Sequence, residues 1–473
     1  MNTHEPPSTK PTHELSNDSV ASHRLRGPLT QVLLTALVIL AGTEFLLRGP
    51  VRFVRQGHDW NDISQVYGMS EEWLRGKDPY SAKGFVATWE TSSGLRVGLE
   101  GPRSHVFYPL PAVVVMSPLS LFHWSTAQWV WALIQSLGFL VMIWQLARLP
   151  AGLKRWQKYI FIALAFALAP FHTGIATGNV STLAITLAVV AVTFALAGQD
   201  SVSGILLGLS CCLKLQIGFW FAFYYLIRRR KRLAIAAACV FISVAFLGAL
   251  RLGGDFTWIH HYFQNNRLFF SANRVDDFTE MNPIRFTLVN LQVLIYAFVK
   301  NAFAANAVAL AIGGVLFALW SWLVWKRQAK ETDFLDLSAL LILSILPIYH
   351  RFYDAGLLIL PLYWTFTVRS AALQRLSRAV LVFMLPFLVP GSAALQQWEL
   401  QGRVPSSIAS AWWWQSIVMS HEIWCLLALT LLLLYAVFIE ESERESDSPE
   451  LAPDLLALGE KAAGLPGTPS ESS

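Results

Sequence analysis

An all-α bundle threaded repeatedly through a membrane is the fold class this sequence predicts, and three observations predict it. Hydrophobic residues make up 54% of the 473 and charged residues only 14%, where soluble domains carry about a quarter. Mean hydropathy is +0.46. Apolar runs recur over almost the whole length, too many for one anchor beneath a soluble domain. In lipid only helices and closed barrels satisfy their own backbone polar groups, and long apolar runs read as helices, so sheet is excluded as the main architecture.

Residues 1–28 are polar and rich in Ser, Thr, Pro and His, with Arg24 and Arg26 just ahead of the first apolar run. A secretory signal peptide has a shorter leader and a small-residue cleavage site, so 29–47 reads as an uncleaved signal anchor and 1–28 as a disordered cytoplasmic N-terminus. About 12 spans are expected in the domain 29–438: 29–47, 125–147, 157–172, 180–197, 201–213, 216–228, 232–251, 303–325, 334–349, 355–369, 377–391 and 411–438. Several are short of the roughly 20 residues that cross a hydrocarbon core, as expected where a cavity enters the membrane. From Glu440 the chain carries nine acidic residues against Arg444 and Lys461, so 439–473 reads as a disordered acidic cytoplasmic tail.

Loops rich in Lys and Arg stay in the cytoplasm. With both termini inside, the basic clusters at 148–158, 228–232, 326–330 and 369–378 fall on one side of a plasma (bacterial inner) membrane, and loops 48–124, 252–302 and 392–410 fall outside. The scheme requires the apolar pieces 108–122 and 284–299 to rest on the outer face without crossing. It places most of Trp124, Trp129, Trp131, Trp320, Trp322, Trp325 and the run 412–414 as interfacial anchors. Cys211, Cys212, Cys239 and Cys425 lie in apolar runs without CxxC spacing and read as packing residues, neither a disulfide framework nor a zinc site.

Polar residues then stand out against the apolar background. In the first outer loop, Ile63, Val66, Met69, Trp73 and Leu74 recur at helical spacing, which predicts an amphipathic helix on the membrane surface. Asp62 at its start suits an N-cap, and GKDPY (76–80) is a helix stop with Asp78 as a turn residue. Three prolines within 107–122 suit a re-entrant or surface piece. Asn179 and Ser181 in GNVSTLAITL (178–187) stand ready to cap the next span. Lys214 falls between two short helices, either snorkelling to the interface or offering a point charge to a phosphate, with Arg351 as a fork. The tip YHRFYD (349–354) puts His350, Arg351 and Asp354 inside an apolar hairpin. Arg351 and Asp354 at this spacing suit a structural pair, while ionisable groups in such segments are functional candidates. No HExxH, GxSxG, GxxxxGK[ST] or paired-cysteine pattern occurs, so zinc protease, serine hydrolase and P-loop chemistry have no positive support.

Taken in order, Asp62 with Tyr67 and GKDPY, YPLPAVVVMSPLSLF, GNVSTLAI, GLSCCLKLQ and YHRFYD resemble glycosyltransferase family 87, membrane enzymes of the GT-C fold, over roughly residues 30–435. The chain departs from that family's pattern at Leu110, Asn179 and Leu215. The resemblance implies a hexosyltransferase, mannosyltransferase-like, that takes its sugar from a polyprenyl-phosphate donor and passes it to a hydroxyl of a glycan or glycolipid acceptor on the outer face, with inversion. It implies Asp62 as general base, Lys214, His350 and Arg351 around the donor phosphate, and Asp354, Asn179 and Tyr67 in support, with Asp354 orienting Arg351. Membrane lipids surround it; no cofactor, metal or nucleic acid is needed. A transporter of a lipid-linked or anionic substrate is the main rival, since intramembrane charges also line substrate paths, but no internal duplication is visible. A non-catalytic lipid-binding scaffold is a third reading.

Overall fold

A backbone with no water to bond must bond to itself. Among the residues described by the computed structural model, 27–55, 62–81, 107–149, 152–269, 276–326 and 333–446, the regular structure is helical, apart from a single antiparallel bridge between Leu288 and Arg351. Most of the two expected terminal tails lies outside the described residues. In chain order the helices are α1 (Pro28–Leu46), α2 (Asp62–Leu74), α3 (Leu110–Met116), α4 (Trp124–Arg148), α5 (Arg155–Ala167), α6 (Ala169–Ala176), α7 (Ser181–Leu196), α8 (Asp200–Leu213) and α9 (Leu215–Ile227). The second half holds α10 (Lys231–Arg251), α11 (Thr257–Phe269), α12 (Leu291–Val299), α13 (Ala302–Lys326), α14 (Phe334–Ile345), α15 (Ile359–Thr367), α16 (Ala371–Met384), α17 (Gly391–Leu400) and α18 (His421–Ser446).

Six helical stretches, Leu29–Arg55, Trp124–Arg148, Lys231–Arg251, Ala302–Lys326, Ala371–Leu400 (α16 continued into α17) and His421–Glu443, are long and apolar enough to cross a membrane, and α5 with α6, bent by 41° at Leu168, makes a seventh. The other five predicted spans are α7, α8, α9, α14 and α15, with 16, 14, 13, 12 and 9 residues, short of the roughly 20 that a straight crossing needs. Neighbouring helices supply the surroundings that length would otherwise match to lipid: almost every residue of α14 is buried, as are most of α7. The piece 108–122 forms α3 and a 3₁₀ turn, Ser117–Leu121, and 284–299 forms a 3₁₀ turn and the nine-residue α12, both too short to span.

Small residues bring α8 against α10. A Cβ added at Gly204 or Gly208 would stand 2.5 Å from the side chain of Ala236 or Val240 respectively, the close approach that small residues at four-residue spacing allow between membrane helices. At the end of α9, Arg228 forms an ion pair with Asp336 of α14, both side chains almost fully buried. Arg230 pairs with Asp200 at the start of α8, and the Tyr224 hydroxyl accepts from the Asp333 backbone N–H at 2.8 Å. The basic run 228–232 is thus fixed at the end of α8 opposite Lys214. Deleting one partner of a buried pair strands the other charge at a cost of about 3–5 kcal/mol. Arg228→Ala is therefore expected to lower the thermal unfolding midpoint of detergent-purified protein sharply, and Arg228→Ala with Asp336→Ala to recover most of the loss. A midpoint unmoved by the single change would show that the pair is not needed for stability.

Four expectations need correction. The first-loop helix α2 does not lie on a membrane surface: nearly all its residues are buried, polar Ser64, Gln65, Ser70 and Glu72 included. Other elements cover its polar face. Ser70 Oγ donates to Val113 O at 2.9 Å, Trp73 Nε1 donates to Gly248 O at 3.0 Å, and Arg251 Nε donates to Trp73 O at 3.0 Å. Trp124, Trp131 and Trp320 are buried and bond or pack internally, Trp320 Nε1 donating to Asp336 O at 2.9 Å; Trp129, Trp322, Trp325, Trp412 and Trp413 are the exposed ones. The acidic tail does not begin at 439, because α18 runs on to Ser446. The GKDPY turn does more than stop a helix: Asp78 Oδ2 pairs with His261 Nδ1 of α11 at 2.5 Å, and the Tyr80 hydroxyl donates to Tyr108 O at 2.9 Å, so the turn ties the end of α2 to α11 and to the chain ahead of α3.

Candidate active site

The five short helices among the predicted spans, α7, α8, α9, α14 and α15, all lead to a single polar cluster. α7 starts there behind Asn179, α8 ends and α9 begins there at Lys214, and α14 ends and α15 is approached there through His350, Arg351 and Asp354. The ionisable groups gathered there, His350 and Asp354 among them, are buried inside protein, the setting in which broken backbone is tolerated in a membrane.

The loop between α6 and α7 places the first group. Gly178 has φ +68°, and a Cβ there would stand 2.7 Å from Phe53 and 2.9 Å from Ile63, so only glycine fits both the backbone and the space. Its carbonyl accepts from Trp131 Nε1 at 3.1 Å. Asn179, next in the chain, is thereby aimed at α2: its Nδ2 donates to Asp62 Oδ2 at 2.6 Å and to the Tyr353 hydroxyl at 2.9 Å. Its Oδ1 accepts from Ser181 Oγ at 2.5 Å and from Ser181 N at 2.9 Å. Asp62 is held from below by its own N–H, which donates to Thr177 O at 3.0 Å. Its carboxylate therefore faces the α6–α7 loop instead of capping α2.

Lys214 interrupts the helices in extended conformation, φ −151° and ψ 95°. Its Nζ donates to Ser181 Oγ at 2.8 Å and to Asp354 Oδ1 at 2.7 Å, and lies 5.0 Å from the centroid of the Tyr353 ring. With its side chain 11% exposed, it is not snorkelling: both hydrogen bonds point into the protein. Donors and acceptors then run in one sense from Lys214 through Ser181 and Asn179 to Asp62, a chain whose members polarise one another.

Asp354 is fully buried and gathers several donors. Besides Lys214 it accepts from His350 Nδ1 at 3.0 Å and from the Arg351 backbone N–H at 3.2 Å. A carboxylate only accepts, so Nδ1 carries the proton, and His350 Nε2, also buried, has no hydrogen-bond partner among the described residues. The segment ahead of α12 clamps this tip: Val289 N donates to His350 O at 3.0 Å and Leu291 N to Leu346 O at 2.8 Å.

The guanidinium of Arg351 turns elsewhere. Its Nε donates to the Tyr349 hydroxyl at 2.8 Å and its Nη2 stands 3.6 Å from Asp276 Oδ1. Asp354 therefore holds Lys214, His350 and the Arg351 backbone, and the expectation that it orients the Arg351 side chain is corrected. The four-residue step from His350 to Asp354 and the break at Lys214 bring those groups closer than the three-residue step to Arg351. Tyr67, expected in support, is not in the cluster: its hydroxyl donates to Phe122 O at 2.9 Å and its ring packs edge-on to Trp124 at 5.1 Å, bracing α2 from behind.

Three members of the site carry no clear mark in the sequence. Tyr349 and Tyr353 flank the basic tip and blend into its aromatic background. Asp276 lies between α11 and α12 in a stretch, VDDF, that has no periodicity to mark it. The Tyr108 hydroxyl lies within electrostatic reach of Asp62, Arg351, Asp354 and Asp276. Burial, opposed by Arg351, the Tyr349 hydroxyl and Lys214, raises the Asp276 pKa to about 7. Among the described residues no group of three or more His, Cys, Asp or Glu side chains is placed to hold a metal ion.

The site thus offers a carboxylate, Asp62, at one end of a hydrogen-bonded chain and two cations with an imidazole nitrogen at the other, an arrangement able to take a proton on one side and stabilise an anion on the other. A family model described as glycosyltransferase family 87 matches residues 106–347. That stretch contains Asn179, Lys214 and Asp276; Asp62 precedes it, and His350 lies just beyond it. No curated protein matches the chain.

Proposed function

The chain belongs to glycosyltransferase family 87, and from that premise we propose that it moves a hexose, mannose in our reading, from a polyprenyl-phosphate donor to a hydroxyl of a glycan or glycolipid acceptor at the outer face of the plasma membrane. The observation that carries this reading is the convergence of Asp62, Lys214, His350 and Arg351 on one polar cluster at the end of the short helices, away from the basic run at 228–232. That run marks the cytoplasmic end by the preference of cations for that side. A site at the other end has no nucleotide sugar within reach, so a donor anchored in the bilayer is its natural supply.

In this scheme the acceptor oxygen attacks the anomeric carbon as its proton passes to the Asp62 carboxylate. The bond from that carbon to the phosphate oxygen breaks, and the polyprenyl phosphate leaves with the electron pair. Lys214 has three protons, two of which Ser181 and Asp354 take; the third is available to the phosphate. Arg351 adds a forked donor. His350, its Nδ1 proton held by Asp354, presents Nε2, and when protonated there donates to the same oxygens. Attack and departure on opposite faces of the sugar give inversion. Purified protein supplied with a polyprenyl-phosphoryl hexose is expected to consume donor only when acceptor is added, giving the inverted linkage by NMR of the product. Retention of configuration would rule the single-displacement scheme out.

A further inference from the structure

We infer that Asp276 is a positioning residue of the transfer site, the counter-ion that holds Arg351 while no donor is bound and yields it to the donor phosphate on binding, taking up a proton as it does. The inference rests on the reading of Arg351 as a phosphate ligand. Three features carry it. The first is geometry: the Asp276 side chain is fully buried, yet its Oδ1 stands 3.6 Å from Arg351 Nη2, beyond hydrogen-bond length. Neither carboxylate oxygen completes a hydrogen bond of good geometry among the described residues, although the Tyr349 hydroxyl adjoins it. A pair built for stability closes to contact, as Lys214 and Asp354 do at 2.7 Å; a loose buried pair is costly to keep.

The second feature is charge. Among the described residues three carboxylates, Asp62, Asp276 and Asp354, gather around two cations, Lys214 and Arg351. Lys214 is committed to Asp354. A phosphodiester donor brings a further negative charge into this space, and Arg351 is the cation with the looser carboxylate partner. Two anions competing for one buried guanidinium repel each other, and protonating the carboxylate removes the conflict. The third is the surroundings of Asp276 among the described residues: Arg351 and Tyr349 from the hairpin tip, Lys214 from the break between α8 and α9, and Asp62 from α2. Asp277, beside it in the chain, is engaged in its own turn, its Oδ1 accepting from Thr279 N at 2.8 Å.

Burial already brings Asp276 to a pKa of about 7. A donor phosphate on Arg351 removes the cation that opposes protonation and adds an anion, so the pKa rises further in the complex. The sign follows: donor affinity is greatest below about 7, where Asp276 is already protonated, and falls as pH rises above it, by at most about tenfold per pH unit.

The test is equilibrium binding of a short-chain prenyl-phosphoryl mannose to the full-length protein in nanodiscs from about pH 5.5 to about pH 8.5, a range across which this phosphodiester keeps one charge. The wild type is expected to bind about tenfold or more weaker at the alkaline end. Asp276→Asn is expected to hold the acid-side affinity across the range, and Asp276→Glu to restore the slope. If Asp276→Asn still loses affinity with rising pH, the slope belongs to another group and the inference falls. It falls equally if Asp276→Asn weakens binding at every pH. A wild type that binds the phosphodiester at no pH overturns the donor reading itself, whereas binding with a profile indifferent to position 276 overturns this inference alone.

Discussion

Asp62→Asn is expected to lower turnover by about 10²- to 10⁴-fold, the range a positioned general base contributes, while donor affinity stays within about twofold of the wild type, as expected for a group that acts only in the transition state. The substitution is nearly isosteric. The new side-chain carbonyl can still accept from Asn179 Nδ2, the bond that fixes Asp62 Oδ2 at 2.6 Å, so the chain through Ser181 to Lys214 survives. What disappears is the capacity to receive a proton from the acceptor. The change also separates the base from a mere helix cap, because asparagine caps helices about as well as aspartate and a capping role predicts little loss. Measured kcat and kcat/KM should fall together. Turnover near the wild-type rate would remove Asp62 as the base, and a collapse of donor affinity would place it in ground-state binding instead.

Much of this arrangement is legible in the amino-acid sequence, and the reasons differ by element. The helical class, the run of apolar segments and the family all follow from composition and ordered motifs, because lipid leaves a chain few options. Lys214, His350 and Asp354 can be picked out because an ionisable side chain in an apolar run is conspicuous. Asp62 needs the resemblance, since on its own it reads as a cap. Their mutual pairing is not legible: sequence spacing offers Arg351 to Asp354, but the break after Leu213 delivers Lys214 to that carboxylate from another hairpin. Asp276 is hidden for the opposite reason, standing in a polar loop where one more aspartate carries no signal. The burial of α2 escapes the pattern because its polar residues Ser70 and Glu72 imitate a solvent face, while the groups that cover that face come from α3 and from the far end of α10. Long-range contact is what a one-dimensional pattern omits.

Lys214→Ala is expected to weaken donor binding by about 10- to 100-fold, the worth of a hydrogen bond to a charged group, and to destabilise the protein as well. Two roles are superimposed in this one ammonium. It neutralises Asp354, which is fully buried, and stranding that charge costs about 3–5 kcal/mol of stability; in the proposed reaction it also meets the phosphate with its remaining proton. Combining Lys214→Ala with Asp354→Asn separates the two. The double variant no longer contains a stranded carboxylate, so its unfolding midpoint is expected to recover toward the wild type. If Lys214 served only as counter-ion to Asp354, donor affinity would recover with it. A phosphate ligand predicts instead that stability returns while affinity stays low, because no neutral neighbour supplies the lost charge. Equilibrium titration with the prenyl phosphodiester, run beside thermal unfolding on the same four proteins, reads both quantities at once. Affinity that tracks stability through the whole cycle would confine Lys214 to holding the hairpin tip and leave Arg351 and His350 as the groups that meet the leaving phosphate.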